Sequence, residues 1–105
     1  MYLVREVMHC KPGQVQPLVS IFQQVENAMQ KKGFTSPARI LTDISGEQYW
    51  TLVSEREVDN LEQYAETSRQ IMTDPDIKNA MKNYHDYVES GRREIFKIEL
   101  PATRH

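Results

Sequence analysis

The feature that most constrains the fold of this chain is its hydrophobic period, which changes from two residues to about four and back again. Residues Tyr2 to Cys10 alternate in part between polar and apolar types, and Lys11-Pro12-Gly13 ends the run as turn residues end a strand. From Val15 to Met29 the apolar residues recur at spacings of three and four, and Gly33 stands where a helix cap belongs. The chain is therefore predicted to begin with a strand followed by a helix.

The next two segments are strand-like and are separated by a short turn. Residues Ala38 to Ile44 alternate, and Tyr49 to Glu55 is dense in strand-forming types. Because Ser45-Gly46-Glu47 joins them, the two runs are predicted to pair as an antiparallel hairpin.

The remaining segments predict a broken helix and a last strand. Asp59 and Glu62 have capping-box spacing, so Asp59 is predicted to cap the second helix. The stretch Thr73-Asp74-Pro75-Asp76 interrupts this helix, because it supplies a new N-cap and a proline at the first helical position. Gly91 is predicted to end the helix, and alternation predicts a strand over Glu94 to Leu100.

The order β-α-β-β-α-β favours one fold in the α+β class. With two right-handed crossovers it gives a ferredoxin-like unit, in which an antiparallel four-stranded sheet in the order 4-1-3-2 carries both helices on one face. The length of 105 residues fits one domain, predicted to cover residues 1–100, with residues 101–105 as a loose tail.

The residues on the second face of this sheet indicate that the chain assembles with another copy. The first strand is apolar on both parities, with Leu3 and Val7 on one side and Val4 and Met8 on the other. Since each Å² of apolar area left in water forfeits roughly 25 cal/mol, several exposed side chains of this size would weaken a small domain noticeably. A second copy is therefore predicted to cover the open sheet face.

Composition excludes several functional classes. Thirteen basic and fifteen acidic residues give a net charge of −2, which disfavours binding to nucleic acid or to an anionic membrane. The single cysteine, Cys10, excludes an internal disulfide, and alternation sends His9 away from Met8 and Cys10, so no metal site is predicted. With no apolar run of membrane-spanning length and no signal-like N-terminus, the expected location is cytoplasmic.

Four motifs, together with the element order, resemble those of the dimeric α/β-barrel superfamily. The chain is most similar to its NIPSNAP-like and antibiotic-biosynthesis-monooxygenase-like branches. The motifs are Tyr2-x-x-Arg5, Lys11-Pro12-Gly13, Asp74-Pro75, and the exit Glu89-Ser90-Gly91-Arg92-Arg93-Glu94-Ile95 into the last strand.

The resemblance implies a homodimer in which the sheets of two copies pack against each other and close a barrel. It also implies that a ligand lies between helices and sheet, on the side of Val4, Glu6 and Met8, while Leu3, Arg5, Val7 and His9 face the partner. The superfamily includes cofactor-free monooxygenases, haem-degrading enzymes, lactone isomerases and members without an assigned activity, so the resemblance leaves the reaction open. No cofactor is expected.

Two charged residues of the first strand are candidates for the site. Desolvation of Glu6 in a central strand would raise its pKa and suit it to proton transfer, but pairing with Arg93 or Lys97 would explain it equally. Arg5 is a candidate for binding a carboxylate or enolate, with an intersubunit ion pair as the alternative.

The remaining candidates are His85 and three aromatic residues. His85 could act as a base near a pocket, but a half-exposed helix histidine needs no function. Trp50, Tyr64 and Tyr84 could shape an aromatic pocket, although core packing explains them as well.

These features give two alternative functions. The first is a homodimer that binds a small, partly aromatic organic molecule and could act as a cofactor-free monooxygenase- or isomerase-like enzyme. In that case Glu6 or His85 would move a proton, while Trp50 and Tyr64 position the substrate. The alternative is a non-enzymatic dimer with no productive pocket, which the absence of a convergent acid–base pair supports.

Overall fold

The structure is a computed structural model, and it describes residues 1–34 and 36–102 of the chain. Four strands and four helices follow one another in this part of the chain. They are β1 (Tyr2–Cys10), α1 (Val15–Lys31), β2 (Ala38–Thr42), β3 (Thr51–Val58), α2 (Leu61–Thr73), α3 (Pro75–Ala80), α4 (Tyr84–Tyr87) and β4 (Val88–Lys97).

The four strands form one antiparallel sheet in the order β2-β3-β1-β4. This is the predicted order 4-1-3-2 read from the other edge, so the ferredoxin-like α+β fold is confirmed. Residues directly opposite one another in an antiparallel sheet share a face. Arg5 of β1 is opposite Glu55 of β3 and Glu94 of β4, and these three side chains therefore lie together on one face.

The core lies between α1 and the other face of the sheet. Leu18 of α1 and Leu52 of β3 are both fully buried, and Met8 and Cys10 of β1 belong to the same cluster. The even-numbered residues of β1 therefore face the helices, as expected. The buried residues of α1 follow the predicted spacing of three and four: Val15, Leu18, Ile21, Val25 and Met29.

The second helix begins one residue later than predicted. The N-cap is Asn60, whose side-chain oxygen accepts a hydrogen bond from the Gln63 amide at 3.0 Å, so the prediction of Asp59 was wrong. Asn and Asp are equally good N-caps, which is why spacing alone did not separate them.

The predicted interruption of the second helix is present. Asp74 caps α3 by accepting hydrogen bonds from the amides of Asp76 at 2.9 Å and Ile77 at 3.2 Å. Pro75 occupies the first turn of α3, where its missing N–H costs no intrahelical hydrogen bond. Helix α2 ends at Thr73, and the chain changes direction at Asp74.

The end of the second crossover differs from the prediction. Helical structure stops at Tyr87, and β4 begins at Val88 instead of Glu94. Gly91 lies inside β4 opposite Met8, where a Cβ atom would stand 3.1 Å from the carbonyl oxygen of Val7. The glycine therefore permits close approach of two strands and does not end a helix.

The hairpin strands are displaced relative to the prediction. Strand β2 ends at Thr42, and β3 runs from Thr51 to Val58. The residues between them form an irregular loop that is closed by a hydrogen bond from the Asp43 amide to the Thr51 carbonyl oxygen at 3.2 Å. Beyond β4, the Ile98 amide donates to the Met1 carbonyl oxygen at 3.0 Å. Of the predicted tail, residues 103–105 lie outside the described residues.

Candidate functional site

On the helix side of the sheet, Glu6 is paired with Arg93. The two residues are opposite each other on β1 and β4, and Arg93 Nε donates to Glu6 Oε1 at 2.6 Å. The Arg93 guanidinium carbon lies 5.9 Å from the centre of the Tyr64 ring, which is within cation–π range. The hydrogen bond to Glu6 raises the pKa of Arg93. Glu6 thus serves as the counter-ion of an arginine that contacts α2.

Tyr84 and His85 lie at the start of α4. The ring of Tyr84 meets Phe22 of α1 edge-on, with centroids 6.4 Å apart, and meets His85 edge-on at 5.2 Å. Burial raises the pKa of Tyr84, and the charge of Glu6 raises it further. The phenol therefore stays protonated at neutral pH and can donate a hydrogen bond. His85 itself is exposed.

Helix α2 does not close onto the sheet, and an open cleft of about 1220 Å³ runs beside α2 and extends to Arg39 and Glu55 of the other sheet face. None of the residues Leu61–Thr73 is buried. The cleft is lined on the α2 side by Gln63, Tyr64, Thr67, Ser68 and Ile71. Because these residues are spaced by three and four, they lie along one face of α2.

The opposite wall of the cleft comes from α1 and the sheet. It includes Met29, Phe34, Ala38, Arg56 and Val58. The Arg56 guanidinium is already engaged, since it donates to the Glu26 carboxylate and to the Ser36 carbonyl oxygen. The wall is thus largely apolar, and its cation is neutralised within the protein.

The open face carries a row of charges that crosses all four strands. Arg39 and Arg5 both donate to Glu55, at 2.5 and 2.9 Å, and Arg5 also donates to Glu94 at 3.0 Å. Arg92 adds a further pair with Glu94 at 3.0 Å. Positive and negative side chains alternate along this row, so the charges of the row are paired with one another.

Apolar side chains flank the charge row. Leu3 lies opposite Phe96 on one side, and Val7 lies opposite Val53 on the other. Leu41 of β2 extends the second group, since it is opposite Val53. Phe96 and Leu41 are exposed. The open face therefore has apolar side chains on both sides of the charge row.

The six predicted site residues do not form one site. Glu6, Tyr64 and Tyr84 lie on the helix side of the sheet, with the exposed His85 beside Tyr84. Arg5 lies on the open face within the charge row.

Trp50 lies apart from the other predicted site residues, in the loop before β3. It lines a separate cavity of about 360 Å³ near Asp43 and Tyr49. Strand β3 has eight residues and so separates its two ends by roughly 23 Å. The α2 cleft lies at the Val58 end, so Trp50 and Tyr64 are too far apart to hold one small molecule together.

Sequence reasoning missed Arg56, Thr67 and Ile71. The two helix residues follow Tyr64 at three and seven positions, which is a helical signal. Leu61 and Ala65, two other apolar residues of α2, are exposed. The sequence around Arg56 does not indicate its ion pair, because its partner Glu26 is thirty positions away.

Metal and membrane features are absent from the described part of the chain. Residues 1–34 and 36–102 contain no group of three or more His, Cys, Asp or Glu side chains that could hold a metal ion. Within the same residues, no helix combines the length and the apolar character needed to cross a bilayer. Cys10 is buried, and burial raises the pKa of its thiol, with a smaller contribution from Asp43. The thiol is therefore not activated as a nucleophile.

The sheet order, the helices on one face and the exposed second face define a ferredoxin-like α+β subunit. Solved structures of this class are similar to the chain over nearly its whole length. A NIPSNAP domain protein from Burkholderia xenovorans is 17% identical with a TM-score of 0.77, and the match covers 97% of this chain and 95% of that one. A NIPSNAP family protein of unknown function from Agrobacterium tumefaciens is 17% identical with a TM-score of 0.80, covering 93% and 87%.

An antibiotic biosynthesis monooxygenase is also similar, at 9% identity and a TM-score of 0.69, over 96% of this chain and all of the other. These similarities confirm the resemblance inferred from sequence at the level of fold. No protein-family profile matches the chain, and no curated protein matches it.

Proposed function

We propose that this protein is a homodimer that binds a small, uncharged, partly aromatic organic molecule in the cleft beneath α2. The observation that carries the proposal is the cleft itself, because a helix of thirteen residues with none buried leaves about 1220 Å³ beside the sheet. The cleft is larger than the range of about 300 to 1,000 Å³ that is typical of small-molecule sites, so a small ligand would fill only part of it.

The lining supports an uncharged ligand. Met29, Phe34 and Ile71 offer apolar contact, and the hydroxyl groups of Thr67 and Ser68 offer hydrogen bonds. The arginines that line the cleft, Arg39 and Arg56, are paired with Glu55 and Glu26. An anionic ligand would have to compete with these carboxylates and would also meet Glu57 and Asp59 of the lining, so a neutral molecule fits better than an anion.

The open face supports the homodimer. Its charge row is internally paired, and the exposed Leu41 and Phe96 lie on either side of that row. Covering these side chains with the same face of a second copy would remove apolar area from water while each charge of the row keeps its partner.

A non-enzymatic role is the second candidate, and the Glu6–Arg93 pair favours it. The Glu6 carboxylate already accepts a hydrogen bond from the Arg93 guanidinium at 2.6 Å, so it is engaged within the protein and not directed at a ligand. Monooxygenase- or isomerase-like chemistry at this site would require Glu6 to leave Arg93, or Tyr84 to act as the proton donor.

The binding proposal is tested with a neutral fused-ring probe, 1,8-dihydroxyanthraquinone, and two variants of α2. Thr67→Phe places a ring in the cleft, while Ala65→Phe places the same ring on the exposed side of the helix. We expect the wild type and Ala65→Phe to bind the probe saturably by absorbance titration. Thr67→Phe should bind about ten-fold more weakly or worse, equivalent to about 1.4 kcal/mol. Equal binding by the two variants, or no saturable binding by the wild type, would rule the cleft out.

A further inference from the structure

A second cavity lies at the other end of β3, next to the loop that joins β2 and β3. It has a volume of about 360 Å³, and Asp43, Tyr49 and Trp50 line it together with Gln16 from the first turn of α1. It shares none of its lining residues with the α2 cleft. The two cavities can therefore be occupied and tested independently.

Trp50 is held in place by its backbone. Its φ angle is 59°, in the left-handed region that bulky residues rarely adopt. The Cys10 amide donates to the Trp50 carbonyl oxygen at 2.8 Å, and the amide of the next residue, Thr51, donates to Asp43 Oδ1 at 2.8 Å. Both hydrogen bonds hold the peptide group between Trp50 and Thr51, so the backbone at Trp50 and the Asp43 carboxylate have a set position relative to each other.

The lining gives this cavity a definite charge preference. Among the residues that the structure describes, Asp43 is the one charged side chain of the lining, and the others are glycine or aromatic, aliphatic or neutral polar residues. Trp50 is 43% exposed and Tyr49 is 85% exposed, so both rings are accessible to a ligand from solvent. Two aromatic rings beside one carboxylate attract a cation through the ring quadrupoles and through direct charge pairing.

We propose that this cavity binds a small organic cation, a protonated amine or a quaternary ammonium ion, with Asp43 as counter-ion and Trp50 and Tyr49 as the aromatic walls. An anion would meet the Asp43 carboxylate without a compensating cation. A hard metal ion would find one carboxylate instead of the several oxygen ligands it needs. The volume is at the lower end of the range for small-molecule sites, which suits a compact ligand.

The test uses the intrinsic fluorescence of Trp50, the only tryptophan of the chain. The full-length protein is titrated with choline and, separately, with its neutral isostere 3,3-dimethyl-1-butanol. We expect choline to change the fluorescence saturably and the alcohol to leave it unchanged. Equal responses to the two compounds, or no saturable response to choline at millimolar concentration, would overturn the proposal.

Variants locate the site. Asp43→Asn keeps an oxygen that can accept from the Thr51 amide but removes the charge, so choline affinity should fall by about ten-fold or more. Asp59→Asn, an exposed position outside this cavity, is the matched control and should bind as the wild type does. Unchanged affinity in Asp43→Asn contradicts the assignment.

A second variant tests the site with Asp43 and its hydrogen bond to the loop left in place. Trp50→Leu retains the charge and removes the ring, and calorimetric titration should show the same loss of choline binding. Thr67→Phe, which blocks the α2 cleft, should leave choline binding intact. If Thr67→Phe abolished it, choline would be binding in the α2 cleft and the cavity at Trp50 would be excluded.

Discussion

The guanidinium of Arg5 bridges two carboxylates on the two strands that flank its own. Arg5 Nε lies 2.9 Å from Glu55 Oε2 on β3, and Arg5 Nη1 lies 3.0 Å from Glu94 Oε1 on β4. The three residues are directly opposite one another across β3, β1 and β4. Arg39 pairs with the second oxygen of Glu55. With Arg92, which pairs with Glu94, the row holds five charges, and each of them has a partner within the same copy of the chain.

Replacing Arg5 should weaken the proposed homodimer. Arg5→Met leaves Glu94 with only the exposed Arg92 as a partner, and removing one member of a covered charge pair costs about 2 to 5 kcal/mol. We therefore expect the dimer dissociation constant to rise by roughly 30-fold or more in sedimentation equilibrium. Arg69→Met, which loses only an exposed pair with Glu66, should leave it unchanged. Equal dissociation constants for the two variants would exclude the open face as the interface.

Glu6→Gln tests whether Glu6, on the helix side of the sheet, stabilises the fold. The Glu6–Arg93 pair is partly exposed, and pairs of this kind contribute about 0 to 1 kcal/mol. We expect urea unfolding to show a loss of less than about 1 kcal/mol in the free energy of unfolding. Probe binding in the α2 cleft should be retained. A variant that fails to fold would instead show that Glu6 has a structural role larger than its exposure allows.

Leu52→Ala tests the contact between β3 and α1. Leu52 is fully buried in the core cluster with Met8 and Leu18, and Leu→Ala at such positions costs about 2 to 5 kcal/mol. Leu100→Ala, at an exposed position beyond β4, should change the free energy of unfolding by less than about 0.5 kcal/mol. Thermal and urea unfolding measure both. Similar losses in the two variants would contradict the placement of the core.

The ion pair between Lys32 and Asp74 predicts that the free energy of unfolding depends on pH. Lys32 Nζ lies 2.7 Å from Asp74 Oδ2, and this contact lowers the pKa of Asp74 below its ordinary value of 3.8 and raises that of Lys32 above 10.5. Because the folded carboxyl binds protons less readily than the unfolded one, its contribution is present above pH 3.8 and is lost as the pH falls through the lowered pKa. The Lys32 contribution is present below pH 10.5 and is lost as the pH rises through the raised pKa.

Asp74→Asn separates the ion pair from the helix cap, because asparagine can still cap α3 but carries no charge. We expect the variant to be less stable than the wild type at neutral pH, and the difference to vanish in strong acid. Unfolding curves across the acid range measure it. A difference that persists unchanged at low pH would assign the effect to the cap instead of the ion pair.

Much of the fold follows from the sequence because periodicity reports which face of an element is buried. The α1 stripe from Leu18 to Met29 and the break at Asp74-Pro75 are local signals, and the structure has both. The start of β4 was missed because Gly91 resembles a helix terminator in sequence. Its close approach to Val7 depends on strand pairing, which spans more than eighty positions.

The candidate sites were less predictable than the fold. Parity along β1 placed Glu6 and Arg5 on opposite faces, and the structure agrees. The separation of Trp50 from Tyr64 depends on where β3 begins, and a shift of two residues moved Trp50 out of the sheet and into a loop. The size of the α2 cleft could not be predicted, since it reflects how far α2 stands from the sheet.

Native mass spectrometry of the protein purified from its own host tests the central claim most directly, because one spectrum reports both assembly and bound ligand. We predict a species at twice the 12.3 kDa chain mass that carries a small adduct. The adduct should be lost in Thr67→Phe and retained in Ala65→Phe. A bare 12.3 kDa monomer, or a dimer whose adduct survives in Thr67→Phe, would contradict a homodimer with a ligand beneath α2.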